Sequence, residues 1–187
     1  MTDRRGTDST AVSIVVPAYN EGPILSSTLE QLTSHFPTGE VIVVSDGSTD
    51  DTVAVARAFH PAVRVIEYSP NRGKGHAVCT GMLAAAGETM IFTDADLPFG
   101  VDGVQRLLDV FEERPCVDVV IAEKTGLYRG PLYRAARGVV RIGVRWMLGL
   151  DRMDTQAGLK GFRRRVAQVV FSPVSYTHLT LPTIYSV

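Results

Sequence analysis

Short apolar runs and helical spacings alternate along the first 120 residues. Val12–Val16 is β-branched and ends at Pro17, as a strand buried on both faces reads. From Glu21 to His35, Ile24, Leu25, Thr28, Leu29 and Leu32 recur at helical spacing, and Phe36-Pro37 follows as a stop. Glu40–Ser45 is a second strand. Asp46-Gly47-Ser48 turns the chain, and Ser48 or Thr49 is placed to cap a helix reaching about Phe59. Val63–Tyr68 is a third strand, and Gly75–Ala86 an Ala-rich helix for which Gly87 is a left-handed cap. A fourth strand, Thr89–Thr93, a helix over Asp102–Glu113 and a fifth strand, Val117–Ala122, complete the pattern. Strands alternating with helices predict an α/β fold, a mostly parallel central sheet with helices on both faces.

In such sheets ligands bind beyond the carboxyl ends of the strands. Four polar clusters fall there: Tyr19-Asn20-Glu21, Asp46-Gly47-Ser48, Asn71–Lys74 and Asp94-Ala95-Asp96. Paired carboxylates leaving a strand can both turn toward one hard cation, and such a cation can bridge a diphosphate. Asn71-Arg72-Gly73-Lys74-Gly75 sets a lysine between glycines that let a phosphate approach the backbone. It lacks the spacing of a Walker loop. The first strand is followed by no GxGxxG, which argues against a dinucleotide-binding reductase. Asp46 stands where a carboxylate can accept from a base or ribose.

Composition narrows the classes further. The chain has 187 residues, 45% hydrophobic and 21% charged, which fits an ordinary globular domain. No apolar run approaches the length of a transmembrane helix, and the polar Met1–Thr10 has no signal-peptide core, so it is expected to be disordered. Cys79 and Cys116 sit in no metal-binding spacing and read as reduced thiols of a cytoplasmic protein. The net charge of −1 conceals an asymmetry, because Glu123–Arg165 holds eleven Lys/Arg against three Asp/Glu. Arg134, Arg137, Arg141 and Arg145 form one stripe of a helix expected over Pro131–Leu150, which implies an anionic partner, phosphates or a membrane surface. No feature calls for nucleic acid.

The tail from Val174 is uncharged, Thr-rich and without helical period. It reads as a sequencing-library adapter translated in one frame. The domain is therefore expected at 11–173, cut short at its C-terminus, with 174–187 foreign to it.

Pro17-Ala-Tyr-Asn-Glu21, Val44-Ser-Asp-Gly-Ser-Thr-Asp50, Asn71–Gly75 and Asp94-Ala-Asp96, in this order and spacing, resemble the family 2 glycosyltransferases of the A-type fold. Met153–Phe162 resembles a segment of polyprenyl-phosphate hexosyltransferases, nearest the dolichyl-phosphate glucosyltransferase branch, with the mannosyltransferase branch next. The resemblance implies that Pro17, Tyr19 and Glu21 hold the nucleotide, with Asp46 at the base. It places Lys74 near the donor phosphates and Mg²⁺ or Mn²⁺ on Asp94 and Asp96. Three positions depart from the pattern: Ser45 replaces a common Asp, Pro98 a metal-contacting Gln of many mannosyltransferases, and Glu123-Lys124 a common Ser-Arg.

The implied activity is inverting transfer of a hexose, glucose before mannose, from UDP-glucose or GDP-mannose to a polyprenyl phosphate. It would take place at the cytoplasmic face of a membrane, with Asp96 essential to catalysis and Arg134 able to reach a phosphate. The alternative is a saccharide-hydroxyl acceptor, which needs a carboxylate base, and Asp154 is the downstream candidate.

Overall fold

The computed structural model describes residues 11–122 and 158–172, and the backbone of 184–186. Its elements are β1 (Val12–Ala18), α1 (Gly22–His35), β2 (Glu40–Asp46), α2 (Thr52–Arg57), β3 (Val63–Tyr68), α3 (Lys74–Ala84), β4 (Thr89–Thr93), α4 (Gly100–Glu113), β5 (Val119–Ile121), β6 (Leu159–Arg163), α5 (Arg164–Phe171) and β7 (Ile184–Ser186). The sheet order is β3-β2-β1-β4-β6-β5-β7. β1 pairs in parallel with both β2 and β4, and β2 in parallel with β3. The chain adds strands outward on one side of β1, then returns to place β4 on the other. That reversal opens a crevice at the strand ends.

Successive residues of β1 and β2 are buried without alternation, as both covered faces require. Ile14, Val16, Val41 and Val43 join Leu25, Leu29 and Leu32 of α1 and Leu107 and Phe111 of α4 in one core. Val15 and Val44 face the other way, onto α3, where Gly81 lets helix and sheet approach. A Cβ at Gly81 would stand 2.3 Å from Val15 Cγ1 and 2.9 Å from Val44 Cγ2.

Three expectations are corrected. Gly87 is not a left-handed cap. α3 ends at Ala84, Ala85 is extended, and the positive-φ glycines of the described residues are Gly47, Gly73 and Gly100. Gly87 is needed for space instead, since a Cβ would lie 2.5 Å from the Ser13 amide nitrogen. Nor do Ser48 and Thr49 cap α2, which begins at Thr52, because both are engaged with Asn20 of the β1–α1 turn. The third correction is β6, for which the hydrophobic pattern predicts no strand. It inserts antiparallel between β4 and β5.

β7 pairs in parallel with β5. Main-chain pairing at an open sheet edge asks little of side-chain identity. This strand therefore leaves the expected foreign origin of residues 174–187 untouched.

Gly81→Ala tests the α3–sheet approach. Alanine favours helix by about 1 kcal/mol over glycine, but overpacking a tight core costs about 1–3 kcal/mol. A net loss is expected, read as a lower urea midpoint with unchanged slope.

Candidate active site

The clusters meet as the strand-end rule predicts. Pro17, Tyr19, Glu21, Asp46, Lys74, Asp94 and Asp96 all line one cleft of about 680 Å³, together with Ala18, Ile24, Asn71, Gly73, Ala77 and Ala95. Asp154, Arg134 and the arginine stripe with Arg137, Arg141 and Arg145 lie outside the described residues.

The floor is set by hydrogen bonds between two strand-end turns. Asn20, in the left-handed region at φ 55°, accepts from the Thr49 N–H at 2.8 Å and donates its own N–H to Ser48 Oγ at 3.2 Å. The Glu21 N–H donates to Thr52 Oγ1 at 2.8 Å and the Gly22 N–H to Asp50 Oδ2 at 3.2 Å. These are orphan donors at the start of α1, and residues around the start of α2 satisfy them. A Cβ at Gly22 would overlap the Asp51 carboxylate, so a side chain there would have to turn that exposed carboxylate aside. Most of Asp46–Asp50 is therefore a brace, and only its Asp46 reaches the cleft. Ser45, the departure from the common Asp, donates to Ser48 Oγ at 2.9 Å inside this brace and does not line the cleft.

Asp46 is 2% exposed. Burial by itself raises a carboxyl pKa, but here it is outweighed by the N–H of Arg72 at 2.8 Å, the Tyr68 hydroxyl beside the carboxylate, the Gly73 N–H and the field of His76. The carboxyl is held below its ordinary 3.8 and stays ionised. Tyr68 is pushed the other way, by burial and by Asp46, so its hydroxyl keeps its proton. His76 packs edge-on against the Tyr68 ring, 5.1 Å between centroids.

At the other end, Asp94-Ala95-Asp96 forms a tight turn. The Leu97 N–H donates to Asp94 O at 3.0 Å, and Leu97 takes φ 45°. Thr28 of α1 donates to Ala95 O at 2.6 Å, tying the turn to the helix beneath. Asp94 is half-buried and Asp96 exposed. Lys74, the first residue of α3, sets its ammonium 2.6 Å from Asp94 Oδ1. Gly73 before it has φ 91°, which calls for glycine, whereas a Cβ at Gly75 would meet nothing.

Sequence reading placed Thr28 on the helix face and Asn20 in a strand-end cluster but gave neither its bracing role, and it passed over Thr52, because each acts on a turn distant in the chain. Asn20 carried a signal: asparagine is enriched in left-handed turns.

Asp46 also predicts a pH dependence. Its folded pKa lies below its ordinary value, so the stability due to its ionisation is fully present above pH 3.8 and is lost as pH falls through the lowered native value. Asp46→Asn should be less stable than wild type at pH 7 and lose less on acidification. Urea unfolding at pH 7 and at pH 2.5–4 checks both.

A family model described as Glycosyl transferase family 2 matches residues 13–171. A dolichyl-phosphate beta-glucosyltransferase of Drosophila melanogaster is 50% identical, over 88% of this chain and 58% of the relative. The chain spans somewhat over half the length of the curated relatives it matches. Among solved structures, a mannosyltransferase of Pyrobaculum calidifontis in complex with GDP-Man and Mn²⁺ superposes with a TM-score of 0.64 at 27% identity, covering 86% of this chain and 46% of that one. Glucosyl-3-phosphoglycerate synthase of Mycobacterium tuberculosis, with Mn²⁺ and UDP-Glc, gives 0.65 at 25% identity, covering 84% and 57%. A family match spanning almost all of the described fold, carried on the same architecture, leads to one conclusion: the chain belongs to glycosyl transferase family 2.

Proposed function

We propose that this chain carries the donor half of an inverting hexosyltransferase that moves glucose from UDP-glucose to a polyprenyl phosphate. The observation that carries the reading is the convergence of Asp46, Lys74, Asp94 and Asp96 on one cleft. The 50% identity to a dolichyl-phosphate beta-glucosyltransferase supports lipid phosphate as acceptor and glucose before mannose.

Pro17, Tyr19 and Glu21 flank the nucleoside, and the ionised Asp46 accepts from the base or ribose. Lys74 faces the diphosphate. Among the described residues no cluster of three or more ligating side chains exists. Two carboxylates on one turn nevertheless suit Mg²⁺ or Mn²⁺, which take one or two protein carboxylates and complete their shell with substrate phosphate and water. Asp94 and Asp96 would hold the ion. When bound, a divalent cation neutralises the charge that gathers on the leaving diphosphate.

The acceptor needs no general base. A phosphate monoester is mostly dianionic at neutral pH, because its second pKa is about 6. Its oxygen attacks the anomeric carbon as the bond to the diphosphate breaks. The protein's share is alignment and charge compensation.

No described helix is long and apolar enough to cross a membrane. The arginine stripe, read from sequence alone, supports peripheral attachment to an anionic cytoplasmic leaflet, each basic residue adding about 1 kcal/mol. Arg137, Arg141 and Arg145 changed together to Gln should weaken sedimentation with anionic vesicles, and added salt should do the same. Equal binding by the variant would remove this part of the reading.

The central test incubates the full-length protein with radiolabelled UDP-glucose or GDP-mannose and polyprenyl phosphate, then extracts the lipid. Label from UDP-glucose is expected in the lipid fraction, and none from either donor would overturn the proposal. Asp96→Asn should lower turnover about a hundredfold or more, Asp94→Asn should also be harmful, and excess EDTA should mimic both. Near-normal activity in EDTA would refute the metal assignment.

A further inference from the structure

Gly158 is a glycine that its own backbone does not require. It is buried, and it is not among the residues with left-handed dihedrals. Its surroundings explain it. The Asp94 N–H donates to Gly158 O at 3.0 Å, joining the turn after β4 to the start of β6. A Cβ on Gly158 would stand 2.7 Å from Asp94 Oδ2, 3.1 Å from Asp94 Cγ and 3.1 Å from Pro98 Cγ. On the opposite side of the same carboxylate, Oδ1 is 2.6 Å from Lys74 Nζ. The Asp94 side chain is thus confined from two directions, by a cation on Oδ1 and by bare backbone against Oδ2.

We propose that Gly158 is a positioning residue for Asp94: its missing side chain sets the direction in which that carboxylate presents its oxygens to the cleft. This rests on the reading of Asp94 as a metal ligand. The nearest atom that an added methyl would strike is the end of a short rotatable side chain, so turning the carboxylate relieves the worst collision, while the 3.1 Å contacts with Asp94 Cγ and Pro98 Cγ ask for shifts of a few tenths of an ångström. Fold and aim are therefore separable at this position. Gly161, three residues along β6, provides the contrast. A Cβ there would meet Leu107 Cδ2 at 2.4 Å and Phe111 Cε2 at 2.8 Å, side chains packed in the core between α4 and the sheet.

The test measures Mn²⁺ binding to the full chain in the presence of UDP, from the electron paramagnetic resonance signal of free Mn²⁺, alongside thermal unfolding of the same samples without metal. Gly158→Ala is expected to weaken Mn²⁺ binding by about ten- to a hundredfold, the usual effect of disturbing a residue that orients a ligand, with a small change in melting temperature. Gly161→Ala is expected to melt much lower while its folded molecules bind Mn²⁺ like wild type. Asp94→Asn is the third arm. If it loses Mn²⁺ while Gly158→Ala keeps wild-type affinity, Gly158 has no positioning role and the metal assignment stands. If Asp94→Asn itself binds Mn²⁺ like wild type, the metal assignment fails and the role of Gly158 with it. A Gly158→Ala protein that is unfolded, or that loses as much melting temperature as Gly161→Ala, would also overturn the proposal, because the added methyl would then be displacing the fold.

Discussion

Everything at this site depends on β1 being buried on both faces while flanked by parallel partners on both edges. A strand in that position must be almost wholly apolar, as Val12–Ala18 is apart from Ser13, whose buried hydroxyl is taken up by Glu40 and the Gly87 N–H. Its two neighbours are reached by connections that leave in opposite directions, and the crevice between them is a place where polar groups can gather beside a rigid sheet. β2 delivers Asp46 to one side of that crevice and β4 delivers Asp94 and Asp96 to the other. The fixed spacing of the strands sets how far apart the turns that carry these groups begin.

The turns themselves are held by contacts that reach across the chain. Asn20, Glu21 and Gly22 bond to Ser48, Thr49, Asp50 and Thr52, so the β1–α1 and β2–α2 connections form one braced unit. Thr28 does the same for the Asp94–Asp96 turn. These bonds satisfy backbone groups that helix ends and tight turns would otherwise leave without partners. The result is a preorganised rim, with donors and acceptors placed before any ligand arrives, as the proposed stabilisation of a leaving diphosphate would require.

Charge is handled differently at the two ends of the cleft. Asp46 is kept ionised by hydrogen-bond donors despite its burial, while burial and the Asp46 charge push the Tyr68 hydroxyl's pKa up. Asp94 is matched by the more exposed Lys74. An exposed ion pair is weak and exchanges partners readily, which suits the diphosphate and cation proposed at this end, as the fixed, ionised Asp46 suits the nucleoside proposed at the other.

Periodicity and strand-end chemistry were enough to read the α/β alternation and all but one of the strands of 11–122 and 158–172, because short β-branched apolar stretches bounded by turn residues mark those strands. They were enough as well to bring Asp46, Lys74, Asp94 and Asp96 to one rim, since residues leaving parallel strands must lie on the same side of the sheet. β6 escaped because Leu-Lys-Gly-Phe-Arg is too short and mixed to show a period, and its place between β4 and β5 is settled by pairing partners distant in the chain. Gly87 was read for the wrong reason, and Gly158 was passed over, on a related ground. A glycine demanded by its own dihedrals often sits beside a recognisable turn, whereas one demanded by space answers to atoms elsewhere in the fold. The sequence determined which chemistry the chain could assemble, through local pattern and residue type. Tertiary structure alone decided which of those residues face the cleft and which brace it, because that depends on contacts between segments that no local pattern encodes.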